Sequence, residues 1–187
     1  MASPEALDFL LTRRSRPAKL LSPPGPDRAE VLRLLTAAAR VPDHGKLEPW
    51  RFVVLEGAGR ARWAAAIRAR AEVTGQDPEK GALAFEKAPL SIAVIASPKP
   101  SEKIPPIEQT LSAGAVALGL LNACLAAGWG ASWLTGWAAY DRDLVEGELG
   151  LGPEEWIAGF VHVGSCHTPP PDRPRPDVAA LTTWVDG

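Results

Sequence analysis

A chain of 187 residues and 19.8 kDa can bury one ordinary core, and dividing it would leave halves of poor surface-to-volume ratio, so a single domain over residues 1–187 is expected. With 46% hydrophobic residues, 22% charged residues and a formal net charge of −2, the composition is globular and excludes a general electrostatic attraction to nucleic acid or to an anionic membrane. The two cysteines, Cys124 and Cys166, form no CxxC pair, which argues against a disulfide framework and a zinc knuckle.

The opening MASPEALDFLLTRR has no basic start, apolar stretch and small-residue cleavage site in succession, so the protein is expected in the cytoplasm. Ser3-Pro4 reads as an N-cap followed by proline at the first helical position, with Leu7, Leu10 and Leu11 on one face of a helix ending near Arg13-Arg14. After PPGP, Asp27 caps a second helix in which Val31, Leu34, Leu35 and Ala38 repeat at helical spacing up to Pro42. The polar turn PDHGKLEPW then runs into a buried strand over 51–56, rich in Val, Phe and Leu.

Gly57-Ala58-Gly59 opens a third helix through Arg62, Trp63, Ala66 and Ile67, a fourth spans 79–88, and a second strand spans 90–96. Helix five is predicted over 107–127, strand three over 131–135, helix six over 142–149 and strand four over 157–163. Residues 109–140 contain no Asp, Glu, Lys or Arg, a run long enough for a membrane span. Ser112, Asn122 and the glycines, with the passage into a strand at Gly128-Trp129-Gly130, favour a helix buried in protein instead. From 165 the chain reads as an extended tail, with five prolines in the nine residues 169–177 before an apolar ending over 178–185.

Arg13, Arg14, Ser15 and Arg16 form the densest positive cluster. It suits either a solvated helix terminus favoured by the macrodipole or a phosphate cradle of guanidinium forks and a hydroxyl. His44 and Trp50 taken singly read as a satisfied loop histidine and a core indole. The Gly57-x-Gly59-x-x-Arg62 turn has arginine where a dinucleotide fingerprint needs its third glycine, so it reads as a turn. His162, Cys166 and His167 have no fourth ligand near in sequence, so no metal is expected. No GxSxG motif is present and no nucleophilic triad is indicated. The small residues Ser112, Ala113, Gly114, Ala115, Ala117 and Gly119 leave helix five needing cover on two sides, which a second copy would supply.

Three segments in order, RRS at 13–15, RVPDHGKLEPWRFVVLEG at 40–57 and EQTLSAGAVALGLLNACLAAGWGASWLTG at 108–136, resemble the nitroreductase family of FMN-dependent oxidoreductases, in its compact YdjA-like branch. The resemblance implies an α+β fold with a mixed, mainly antiparallel sheet flanked by helices, and a homodimer with two flavin sites at its interface. It implies that Arg13, Arg14 and Ser15 hold the FMN phosphate and ribityl end, that Arg40 and His44 lie near the flavin, and that Trp133, Leu134 and Thr135 complete the cofactor wall. Arg173 or Arg175 would add charge from the tail, and Ala123, Cys124, Leu125, Ala126, Ala127 and Gly128 match a stretch associated with the nicotinamide nucleotide. Flavin N5 would carry hydride from NADH or NADPH to a nitro compound, quinone or similar small acceptor in ping-pong fashion, with no catalytic side chain. The alternative is a flavin-binding module without reductase activity. Lys46 and Glu48 depart from the asparagine and glutamine of larger relatives, and Pro17 stands where a basic residue is common.

Overall fold

Regular structure begins where the sequence offers prolines and short acidic caps. In the computed structural model, which describes residues 3–168 and 170–185, α1 (Pro4–Thr12) starts at a proline whose fixed φ suits the first helical position. Ser3 holds the N-cap position, but its hydroxyl turns to Glu5 and its carbonyl takes the first backbone bonds. The carboxylates of Asp27, Asp77 and Asp141 cap α2 (Arg28–Ala38), α4 (Pro78–Lys87) and α6 (Arg142–Leu149) by accepting backbone N–H groups of the first turn, a contribution of about 1 kcal/mol each. α2 stops at Ala38, short of the predicted Pro42, because Val41 precedes a proline and is biased to extended backbone.

Four strands, β1 (Trp50–Glu56), β2 (Leu90–Ala96), β3 (Gly130–Leu134) and β4 (Trp156–Gly164), form one sheet in the order β1-β2-β4-β3. The α+β class is as expected. Every pairing among these strands is antiparallel, so the parallel part of a mixed sheet is absent among the described residues. Alternation along the strands divides two cores. Ile92, Val94, Ala131 and Val161 meet α2 and α5 (Pro106–Ala126) on one face, while Ala93, Ile95 and Phe160 meet α3 (Gly57–Thr74), α4 and α6 on the other. The central strands are apolar on both faces because both faces are covered.

α5 is the helix long and apolar enough to cross a membrane, and here it serves as a core helix. Ala113, Val116, Ala117, Leu120, Leu121 and Cys124 are buried against α2 and the sheet. Gly119 lets α2 approach, since a Cβ there would lie 3.1 Å from the Ala38 carbonyl oxygen. The opposite side of α5 leaves Ile107, Leu111 and Leu118 exposed. Beyond a bridge between Ser22 and Ser165, residues 170–177 run without regular structure and are largely exposed. The predicted tail's Pro169, Asp186 and Gly187 lie outside the described residues.

Candidate functional site

At the free edge of β3, the Arg16 N–H donates to the Ala131 carbonyl at 2.7 Å, pinning the loop after α1 beside the sheet. The tail meets this loop. Arg14 Nη1 donates to Asp172 at 2.8 Å and to the Pro171 carbonyl at 2.6 Å, and Arg175 reaches the same carboxylate at 3.2 Å. Burial and repulsion from Arg175, Arg14 and Arg173 hold the Arg13 guanidinium below its ordinary value. Arg13 Nη2 donates to Ser15 at 3.2 Å, whereas its Nε is buried without a partner among the described residues. The structure therefore brings together Arg13, Arg14, Ser15, Arg173 and Arg175. Asp172, which sequence reasoning missed, sits among them with its carboxyl held low by the Arg173 N–H and by Arg14. One carboxylate among four guanidiniums leaves the cluster in need of an anion.

Past the cluster, the loop reaches through Pro17 a cavity of about 300 Å³, which is lined also by Lys19, Glu79, Lys80, Leu83, Ala84, Ser132 and Leu134 and by none of the cluster's arginines. Its volume is at the lower end for a small-molecule site. Leu134 and Ser132 share one face of β3. Trp133 points to the other, packed over Gly159 with its Nε1 donating to the Ala158 carbonyl at 3.2 Å. Of the predicted wall, Leu134 lines the cavity, Thr135 lies exposed just past the strand, and the Trp133 indole belongs to the opposite layer. Lys80, Leu83 and Ala84 carried no signal in the sequence beyond a helical pattern.

His44 lies at the other edge. Its Nδ1 is 2.6 Å from Glu108 Oε2 on the first turn of α5, and the two residues line a second cavity of about 300 Å³ with Pro42, Leu111, Ser112 and Ala115. The turn carrying His44 is tightly determined. Asp43 accepts the backbone N–H groups of Leu47 and Glu48 at 3.1 and 2.8 Å, and Trp50 Nε1 donates to Ser112, which donates to the Pro42 carbonyl. Within it Gly45, Lys46 and Glu48 all adopt left-handed backbone, φ 74°, 54° and 48°. Two non-glycine residues in that region mark a strained segment held by its surroundings. Arg40 is exposed just after α2, with no side-chain partner among the described residues. With β1 and β3 at opposite edges of the sheet, three strand spacings of about 4.8 Å separate the His44 edge from the Arg13 edge by roughly 14 Å.

The segment Ala123, Cys124, Leu125, Ala126, Ala127 and Gly128 ends α5 and turns into β3. Fifteen residues of α5 separate Glu108 from Ala123, about 22 Å of helix. Cys124 is buried in the core, where desolvation pushes its thiol up to about 12. Ala123, Ala126 and Ala127 line a groove against Arg33 and Ala37 of α2, so a ligand would meet these alanines rather than the thiol.

A profile of the nitroreductase family matches residues 10–165. "Putative NAD(P)H nitroreductase YdjA" from Escherichia coli K12 is 35% identical over 164 residues, covering 86% of this chain and 88% of that protein. A "Putative NAD(P)H nitroreductase" from Haemophilus influenzae is 36% identical over 165 residues with the same coverage. Among solved structures, a nitroreductase-like family protein from Bacillus cereus superposes with a TM-score of 0.82 at 20% identity, over 100% of this chain and 99% of that one. A BluB-like flavoprotein from Clostridium difficile 630 does so at 0.74 and 18% identity, over 98% and 100%. The chain belongs to the nitroreductase family, a family of oxidoreductases.

Proposed function

We propose that this protein is an FMN-dependent oxidoreductase of the cytoplasm that takes hydride from NADH or NADPH and delivers it to a nitro compound, a quinone or a similar small acceptor by a ping-pong sequence. The observation that carries the reading is the arginine cluster at the free edge of β3, in which the Arg13 Nε is buried without a partner among the described residues, while the loop that follows it reaches through Pro17 a cavity floored by that strand. These residues fit a phosphate-bearing planar cofactor. Arg13, Arg14 and Ser15 would hold its phosphate, Arg173 and Arg175 would add charge, and Leu134 would wall the ring. When bound, FMN supplies the hydride chemistry at N5.

The chain's own groups bind and orient. Guanidinium forks fix the anionic end, and the apolar faces of Leu134, Leu83 and Ala84 exclude water from one side of the cavity. His44 and Arg40 belong to the β1 edge, and a two-fold homodimer accounts for their part: one copy's β1 edge would complete the β3-edge site of the other. The nicotinamide nucleotide and the acceptor would then use the same opening in turn.

Purified protein tests this directly. A yellow dimer that is bleached by NADH or NADPH without oxygen, and recoloured by nitrobenzene or benzoquinone, is the expected outcome. Colour without bleaching would instead establish a flavin-binding module, and a chain that takes up no FMN would end the reading.

A further inference from the structure

The contact between His44 and Glu108 joins two segments that other bonds already hold in place. Asp43 closes the turn, and Gly45 packs against Ile104, where a Cβ would come within 3.3 Å of two side-chain carbons. Ser112 lies one helical turn beyond Glu108 on the same face of α5. It donates to the Pro42 carbonyl at 2.9 Å and accepts from Trp50 Nε1 at 3.2 Å. With turn and helix fixed in this way, Glu108 adds a hold on the imidazole itself.

Stability gives a poor account of that last bond. The His44 and Glu108 side chains are 61 and 41% exposed, and an exposed pair contributes little to folding. The turn that presents His44 carries Lys46 and Glu48 in left-handed backbone, each at a greater cost than such a pair returns. A strained turn with a tethered, exposed ring points to a use for the ring.

The ring has one nitrogen to spare. Nδ1 lies 2.6 Å from Glu108 Oε2, and an ionised carboxylate only accepts, so the proton of the neutral ring belongs on Nδ1. Nε2 makes no hydrogen bond among the described residues and is left as an acceptor. Leu111 and Ala115 line the cavity with the pair, and Leu111 is 64% exposed on the outer side of α5, the side that a second copy would cover. His44 is therefore placed to face a ligand held by that copy.

We propose that Glu108 is a positioning residue: it accepts the Nδ1–H of His44 and so fixes the ring's orientation and tautomer, leaving Nε2 to accept a hydrogen bond from a ribityl hydroxyl or ring N–H of the FMN held by the second copy. The proposal rests on the reading of the protein as a dimeric FMN enzyme. Glu108 touches neither cofactor nor substrate and acts through the imidazole.

A first-turn acid also suits the helix macrodipole, and the test separates the two roles. Wild type, Glu108→Ala, Glu108→Gln, His44→Ala and the double variant His44→Ala with Glu108→Ala are compared in three ways. Imidazole nitrogen NMR of the FMN-free chain is recorded at about pH 9, where an ordinary imidazole is neutral, FMN is titrated, and melting temperatures are measured. The His44 signals, identified by their loss in His44→Ala, should show the proton on Nδ1 in the wild type. In Glu108→Ala the proton should spread over both nitrogens, and the FMN dissociation constant should rise about three- to tenfold. Glu108→Gln, whose amide oxygen still accepts, should restore the tautomer and most of the affinity. Once His44 is gone, Glu108→Ala should weaken FMN no further. A wild-type tautomer in Glu108→Ala would overturn the assignment, whether the variant melts lower or not, since Glu108 would then serve the helix end alone. Unchanged FMN affinity in Glu108→Ala, or losses that add in the double variant, would overturn it too. A wild type that takes up no FMN would overturn the functional reading, a distinct result, and the nitrogen signals would still decide whether Glu108 sets the ring.

Discussion

His162 sits inside β4 with its ring between Phe85 and Phe160, 4.7 and 6.5 Å away, and bonded to Ser91. Burial pulls its imidazole down to about 3, whereas in the unfolded chain it titrates near 6.5. The unfolded state therefore binds the proton first as pH falls. The stability attached to neutral His162 is complete above about pH 6.5 and drains away toward pH 3, by about 1.4 kcal/mol per pH unit. Urea unfolding between pH 7 and pH 4 should show this slope. The double change His162→Leu with Ser91→Ala, which removes both polar partners together, should flatten it. An unchanged slope would assign the acid sensitivity to other groups. At the β3 edge, Arg13 is the arginine with an idle buried nitrogen, so Arg13→Ala should weaken FMN by about 1.5–3 kcal/mol in a fluorescence titration.

Local elements divide into those written in neighbouring residues and those created by contact across the fold. The cap Asp27, the proline start of α1 and the buried strand β2 were legible because each signal lies within one turn or one alternation. The Arg13–Ser15 cluster and its tail partners were legible through resemblance. The Glu108 partner of His44 is 64 residues away, and the Asp172 partner of Arg14 is 158 away, so no local pattern could announce them. Two substitutions test these elements. A Cβ on Gly159 would overlap the indole of Trp133, so Gly159→Ala should lower stability by about 1–3 kcal/mol in urea unfolding. Glu48 combines left-handed backbone with a following proline. Glu48→Gly should therefore raise stability by about 1 kcal/mol, and a loss would mean that contacts of the Glu48 side chain outweigh the strain.

At the scale of the whole molecule, the apolar surface left outside the two cores needs a cover. α1 buries none of its nine residues and exposes Leu7, Leu10 and Leu11 at 59, 57 and 68%, yet a helix that short is marginal in water without packing. The outer side of α5 exposes Ile107 and Leu111, and the ending exposes Val178, Leu181 and Trp184, an apolar extent of the kind that marks an interaction surface. The proposed second copy would bury α5 against its counterpart and bring the two half-sites, each on its own sheet edge, to one another. Leu111→Glu combined with Leu118→Glu would place carboxylates in that contact, where desolvation without a partner costs several kcal/mol. Neither residue belongs to the buried face of α5, so the far-ultraviolet circular dichroism of the variant should stay native. Sedimentation should then show monomers, and FMN should be lost on gel filtration because each β3-edge site lacks its opposite wall. Native dimers that keep their FMN would show that the outer face of α5 is not where the copies meet.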